Sequence, residues 1–159
     1  MKISAIYPGT FDPITNGHSD IVMRATHLFD TVILAVAESR NKSTLFTLAE
    51  RVALARSAVA GIDHVEVCSF GNLVTDLARK HSARVIIRGL RAVSDFEYEF
   101  QMASMNRQLF GDAETVFLTP AESLSYLSSS LIKEIASLGG DVSQFVHESV
   151  VQALKEHFK

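Results

Sequence analysis

Cysteine is almost missing: Cys68 is the single one in 159 residues. No disulfide can therefore form within the chain, which fits a reducing compartment. Cys68 ends the alternating run Val65-Glu66-Val67-Cys68, where a buried strand residue is expected rather than a catalytic thiol. Long apolar runs are also missing. No stretch approaches a membrane span, and the opening Met1-Lys2-Ile3-Ser4-Ala5-Ile6-Tyr7 is too short for a secretory leader. A soluble, cytoplasmic protein is the expectation. Charge of neither sign dominates: 15 Lys and Arg against 18 Asp and Glu leave −3, which argues against a broad nucleic-acid footprint. A local cationic pocket stays open, because net charge is silent about clustering. No repeat, low-complexity tract or Pro/Gly/Ser linker breaks the chain, so one domain over 1–159 is expected. What is present is 47% hydrophobic and 21% charged residues, a globular balance that excludes disorder and suffices for one real core.

Short β-branched runs alternate with longer helical patterns. Strands are predicted at Ile3–Tyr7, Thr31–Ala37, Val65–Ser69, Arg84–Arg88 and Thr115–Leu118. Ile21, Val22, Ala25 and Leu28 share one face of a helix over His18–Phe29. Thr47-Leu48-Ala49-Glu50 reads as a capping box opening a helix through Val59. Further helices are predicted over Leu73–His81, from a Ser94 or Asp95 cap to about Leu109, and over His147–Phe158. A helix beginning at Ser128 should stop at a left-handed cap in Gly139-Gly140. Five strands alternating with helices imply an α/β fold, a doubly wound five-stranded parallel sheet of Rossmann-like type. In such sheets ligands bind beyond the carboxyl ends of the strands.

The strand ends hold a coherent inventory. After the first comes Tyr7-Pro8-Gly9-Thr10-Phe11-Asp12-Pro13-Ile14-Thr15-Asn16-Gly17-His18, and after the second Arg40 and Lys42. The fourth ends in Arg88-Gly89-Leu90-Arg91, and the fifth leads to Ser128-Ser129-Ser130 at a helix start. Each has a mundane alternative as a turn, a surface charge or a cap. Together they supply backbone donors, hydroxyls, one imidazole and three or four cations, a set suited to a triphosphate. The other histidines, His27, His64, His81, His147 and His157, lack paired ligand spacing and are expected at the surface.

Gly9-Thr10-Phe11-Asp12-Pro13 followed by Thr15-Asn16-Gly17-His18 is similar to the Thr-x-Gly-His signature of the nucleotidyltransferase superfamily. With Ile87-Arg88-Gly89-Leu90-Arg91, Asp95-Phe96-Glu97-Tyr98-Glu99 and the late triple serine, the whole chain resembles the bacterial phosphopantetheine adenylyltransferases. That resemblance implies transfer of the adenylyl group of ATP to 4′-phosphopantetheine, giving dephospho-coenzyme A and pyrophosphate in the penultimate step of coenzyme A synthesis. It implies that His18 bonds the α-phosphate, while Lys42 and Thr10 hold the attacking phosphate beside it. Arg88 is implied on the pantetheine phosphate, and Arg91, Ser129 and Ser130 on the β- and γ-phosphates. Phe11, Gly89, Leu90, Glu99, Leu124, Ser125, Tyr126, Leu127 and Ser128 would complete the ATP site. Leu73, Val74, Met105 and Asn106 would line the pantetheine arm. The resemblance also implies a homohexamer inhibited by coenzyme A.

Two departures stand out. Lys42 lacks the proline that often follows it by two positions in the family. Leu124 and Tyr126 stand where an aromatic residue and a phenylalanine are common.

The chemistry itself asks little of the protein. A phosphate monoester has a second pKa of about 6, so the nucleophile is already ionised near neutral pH. Positioning two anions and stabilising the charge of the transition state remain. No carboxylate cluster has metal spacing, so no metal ligand is assigned, and Mg²⁺ is expected on phosphate oxygens and water. Three rival readings are a related transferase using nicotinamide mononucleotide or choline phosphate, a non-catalytic ATP-binding module, and a synthetase fragment acting on tRNA. Having both His18 and Lys42 speaks against the second, and the short, acidic chain against the third.

Overall fold

The computed structural model describes residues 1–40, 43–91 and 93–159. Its strands are β1 (Ser4–Gly9), β2 (Thr31–Ala37), β3 (Val65–Phe70), β4 (Val85–Gly89) and β5 (Glu114–Leu118). Its helices are α1 (Asn16–Thr26), α2 (Leu48–Val59), α3 (Val74–Lys80), α4 (Val93–Leu109), α5 (Ser129–Ser137) and α6 (Glu148–His157), with a 3₁₀ turn at Glu122–Leu124. All pairings are parallel and the sheet order is β3-β2-β1-β4-β5. Position in the sheet follows composition. The apolar Val32–Val36 stretch of β2 is buried on both faces and sits inside, while β3, with Glu66 and Ser69 exposed, is an edge.

Alternate side chains divide between two layers. Ala5, Tyr7, Val32, Leu34, Val36 and Ile87 face a large core with Ile21 and Val22 of α1, Ala55 of α2, Ile132 of α5 and Val150 and Leu154 of α6. Ile6, Ile33 and Ala35 face a smaller core with Leu77 and Ala78 of α3. The chain runs one way from β1 through β2 to β3, then returns to β4 and β5 on the other side. The carboxyl ends of β1 and β4 therefore diverge and leave the crevice that such a switch point creates.

Most expected elements differ from the observed ones by one to three residues at the ends. Helix α1 starts at Asn16, because Thr15 caps it, two residues ahead of the expected His18. Helix α4 begins at Val93, so Ser94 and Asp95 lie in its first turn instead of capping it. Gly139 has φ +81 just past α5, the left-handed stop that was expected. Cys68 is only half-buried, since the edge strand covers one side of it less well.

Candidate active site

Helix α1 is opened by a reciprocal cap. The Thr15 hydroxyl accepts from the His18 amide at 3.4 Å, and the Thr15 amide donates to His18 Nδ1 at 3.0 Å. Histidine here takes the part that Glu or Gln usually plays three residues after the cap. An amide can only donate, so Nδ1 is the acceptor and the ring hydrogen belongs on Nε2. Phe11 packs edge-on against the imidazole, with centroids 4.9 Å apart at 84°, and against Tyr7 at 5.4 Å. Phe11 itself holds a left-handed φ of 48, local strain of the kind that gathers at functional sites. Burial and the Arg91 charge lower the His18 pKa from 6.5 to about 4, so the ring is neutral near pH 7. Burial also pushes the Tyr7 hydroxyl above its ordinary range despite nearby Arg88 and Arg91, keeping it protonated.

A crevice of about 360 Å³ lies over the ends of β1 and β4. Thr10, Phe11, His18, Arg88, Gly89, Arg91, Glu99, Leu124, Leu127, Ser128, Ser129 and Ser130, all singled out in the sequence, line it. Gly89 sits close under the crevice: an added Cβ would come within 2.7 Å of Ile21 Cδ1, whose side chain would have to shift, and would touch the Tyr7 hydroxyl at 3.5 Å. The first amides of α1 and α5 have no partner inside their helices. The α1 amides of Asn16 and His18 are taken by the Phe145 carbonyl and the Thr15 hydroxyl, and the Leu131 amide of α5 by Ser128 Oγ, so what both helices offer the crevice is chiefly the positive end of a dipole.

Salt bridges occupy the arginines. Arg88 Nε and Nη2 each donate to the Glu99 carboxylate at 2.7 Å, and Nη1 donates to the Pro8 carbonyl at 3.1 Å. Arg91 Nη1 donates to the Leu127 carbonyl at 2.8 Å, and its Nε lies 3.6 Å from Asp95. Among the described lining residues two cations therefore face two carboxylates. Arg40 is not on the lining; it is exposed, with Nε 4.0 Å from Glu38.

The remaining expected residues lie elsewhere. Lys42 falls outside the described residues. Leu90, Ser125 and the exposed Tyr126 flank the crevice in sequence without lining it. Leu73 and Val74 open α3, and Met105 and Asn106 stand on α4, on the other face of the sheet. His147 caps α6 through Nδ1, accepting from the Ser149 amide, and is half-buried rather than a surface group.

Tyr7 and Thr15, part of the segment after the first strand but given no role, line the crevice too, and sequence reasoning missed Ile21 and Pro120. It also missed a buried charged group below. Asp12 accepts from the amides of Leu45 and Phe46 at 2.9 and 3.0 Å and from Lys133 Nζ at 3.0 Å. Burial alone would raise its carboxyl, but the two amides and the ammonium outweigh it and hold it below its usual range. Arg51 was legible in one way: it shares with Ala55 and Val59 the i, i+4, i+8 spacing of the buried face of α2. Among the described residues no group of three or more His, Cys, Asp or Glu could hold a metal ion. No described helix is long and apolar enough to cross a membrane.

The His18 shift has a measurable consequence for folding. Its folded pKa lies below the unfolded 6.5, so on acidification the unfolded chain takes the proton first. Stability from this group is complete above about pH 6.5 and falls until about pH 4. At pH 5 the loss should be about 2 kcal/mol. Denaturant midpoints of the protein and of His18→Gln, compared at pH 7.5 and pH 5, measure it; the glutamine variant should be less acid-sensitive.

A doubly wound sheet with a capped histidine and a serine-rich helix start at its switch point defines a nucleotidyltransferase-like protein. In agreement, the family described as Cytidylyltransferase-like matches residues 6–135. The phosphopantetheine adenylyltransferase of Thioalkalivibrio sulfidiphilus is 61% identical over 98% of both chains. That of Methylococcus capsulatus is 62% identical over 99% of this chain and 98% of its own. The chain belongs to the phosphopantetheine adenylyltransferases of this cytidylyltransferase-like family. A crystal structure from Vibrio parahaemolyticus, provisionally titled a nicotinate-nucleotide adenylyltransferase, superposes with a TM-score of 0.71 at 19% identity. It covers 98% of this chain and 99% of its own, and it supports the fold alone.

Proposed function

We propose that the crevice transfers the adenylyl group of ATP to 4′-phosphopantetheine by direct in-line attack, without a covalent enzyme intermediate. A phosphate oxygen of the second substrate forms the new bond to the α-phosphorus. The bond from that phosphorus to the bridging oxygen breaks, and its electron pair leaves with pyrophosphate. The observation that carries this reading is the His18 cap. Nδ1 is committed to the Thr15 amide, leaving a neutral ring whose Nε2–H is the polar edge available to a ligand.

A donor of this kind bonds an α-phosphate oxygen and gains strength as that oxygen gains charge. Lys42 and Thr10 hold the attacking phosphate, and Arg88 offers it the two N–H groups left over from Glu99 and Pro8. The start of α5, with Ser129, Ser130 and nearby Arg91, holds the β- and γ-phosphates, while Phe11, Gly89, Leu90, Glu99 and the 124–128 segment bound the rest of the nucleotide. Leu73, Val74, Met105 and Asn106 serve the pantetheine arm.

The donor set fits a magnesium ion held by phosphate oxygens and water. Glu99 is engaged by Arg88, Asp12 by Lys133, and Asp95 lies beside Arg91. Such an ion supplies neutralisation of the leaving pyrophosphate. The test is to mix the protein with ATP, Mg²⁺ and 4′-phosphopantetheine and weigh the products. Dephospho-coenzyme A is expected; product only with nicotinate or nicotinamide mononucleotide or with choline phosphate would refute the reading.

A cytoplasmic homohexamer inhibited by coenzyme A completes the proposal. Helix α4 supports assembly, because Phe96, Tyr98, Phe100, Met102, Met105 and Leu109 are exposed on it. Light scattering should give six times the 17.4 kDa protomer; a monomer at micromolar concentration would end this part of the proposal.

A further inference from the structure

We propose that Asp12, Arg51 and Lys133 are positioning residues of the transfer reaction, a charged clamp with two buried members and the half-buried Lys133 that holds three site-bearing segments in one register. The inference rests on the adenylyl-transfer reading above, but its geometry is independent of it. Arg51 is 2% exposed and Asp12 4%. Charges this deep are costly to desolvate, and apolar residues of similar size commonly serve stability as well or better. Their contacts indicate what they do instead.

Arg51 spends its donors on carbonyls. Nη1 reaches Thr10 O and Ala37 O, both at 2.8 Å, and Nε reaches Phe46 O at 3.2 Å. Thr10 is itself proposed to touch the attacking phosphate. Ala37 closes β2, and Phe46 nearly closes the β2–α2 connection in which Lys42 falls. Arg51 thus stitches the exits of the two neighbouring strands β1 and β2 to the far end of that connection. Asp12 repeats the link with opposite polarity, accepting from Leu45 and Phe46.

The third segment is α5. Its Ser129 hydroxyl donates to the Pro13 carbonyl at 2.8 Å, and one turn later Lys133 Nζ reaches Asp12 Oδ2 at 3.0 Å. Two adjacent residues of the β1–α1 loop thus hold α5 at two points one turn apart. The helix start that faces the triphosphate therefore cannot rotate independently of the loop that carries Thr10 and Phe11. Leu45 and Phe46, at the far end of the β2–α2 connection, are fixed to the same loop. Two mutually repelling phosphates must be held in line, so a small loss of register here lowers turnover more than binding.

Lys133→Met, Lys133→Arg and Asp12→Asn test the clamp, read by steady-state kinetics, melting temperature and hydrogen exchange over residues 43–48. Lys133→Met keeps the apolar stem and should melt within a few degrees of the parent. Its kcat should fall about tenfold with KM for ATP within about twofold, the pattern of misalignment. Exchange at Leu45 and Phe46 should quicken by about fivefold or more. Lys133→Arg should restore kcat to within about threefold. Asp12→Asn keeps the volume but turns an amide group toward donors, and should quicken the same exchange. Normal kcat in Lys133→Met, a loss matched by loss of folded protein, an arginine variant as poor as the methionine one, or unchanged exchange in both Lys133→Met and Asp12→Asn each overturns the clamp. An inactive parent protein overturns the transferase reading instead, and exchange alone then decides whether the clamp holds the loop.

Discussion

Replacing His18 with glutamine should lower kcat by about two to three decades while the protein stays folded and KM for ATP changes little. Glutamine is the choice because the histidine has two tasks. Nδ1 satisfies the Thr15 amide at the start of α1, and Gln is a regular partner for that amide at the third helical position. It therefore keeps the cap while exchanging the imidazole Nε2–H for an amide N–H₂ on a flexible chain that does not hold it in the same place. His18→Ala removes both. It leaves the Thr15 amide without its partner, and Thr15 is buried, so that variant should also lose about 1 kcal/mol of stability. Comparing the two separates chemistry from folding. A donor that strengthens only as the α-phosphorus becomes five-coordinate raises the barrier when lost without weakening ground-state binding. A kcat close to that of the parent in both the glutamine and the folded fraction of the alanine variant would mean that His18 is only a cap.

The second large effect is expected at Arg88. Its bidentate partner Glu99 is 7% exposed. Arg88→Ala leaves that carboxylate buried and unpaired, at a cost of about 3–5 kcal/mol. For a chain of this length that corresponds to roughly 8–15 °C in melting temperature. Affinity for 4′-phosphopantetheine should also fall, by about one to two decades, and more than affinity for ATP. The double variant Arg88→Ala/Glu99→Gln distinguishes the two losses. Without a buried charge to strand, it should recover much of the melting temperature but not the affinity. If calorimetry shows affinity returning with stability, Arg88 acts through the fold alone; equal losses for both ligands would also remove it from the phosphopantetheine phosphate.

Glu99 shows where sequence reasoning reached its edge. The family resemblance implied a place for it in the ATP site, whereas the structure shows its carboxylate in the grip of Arg88, eleven residues earlier, across the end of β4. Nothing in the spacing of α4 announces that, because the partner belongs to another element. The Thr15–His18 cap is different. Its partners are three residues apart in one helical turn, so the pattern was present to be read, hidden only by histidine standing in the place of Glu or Gln.

The sequence by itself determined what is local: the alternation of strands and helices, the second capping box at Thr47 and Glu50, the stop at Gly139, and the placing of Thr10, His18, Arg88 and Ser128–Ser130 after strands or at helix starts. These depend on periodicity and on bonds spanning three or four residues. Tertiary structure alone decided the order β3-β2-β1-β4-β5, and with it which strand ends open onto the crevice. It also decided that Asp12 meets residues 33, 34 and 121 positions away. Pairing at such separations is set by how the sheet and its covering helices bury their apolar faces together, a property of the whole chain that no short stretch of it encodes.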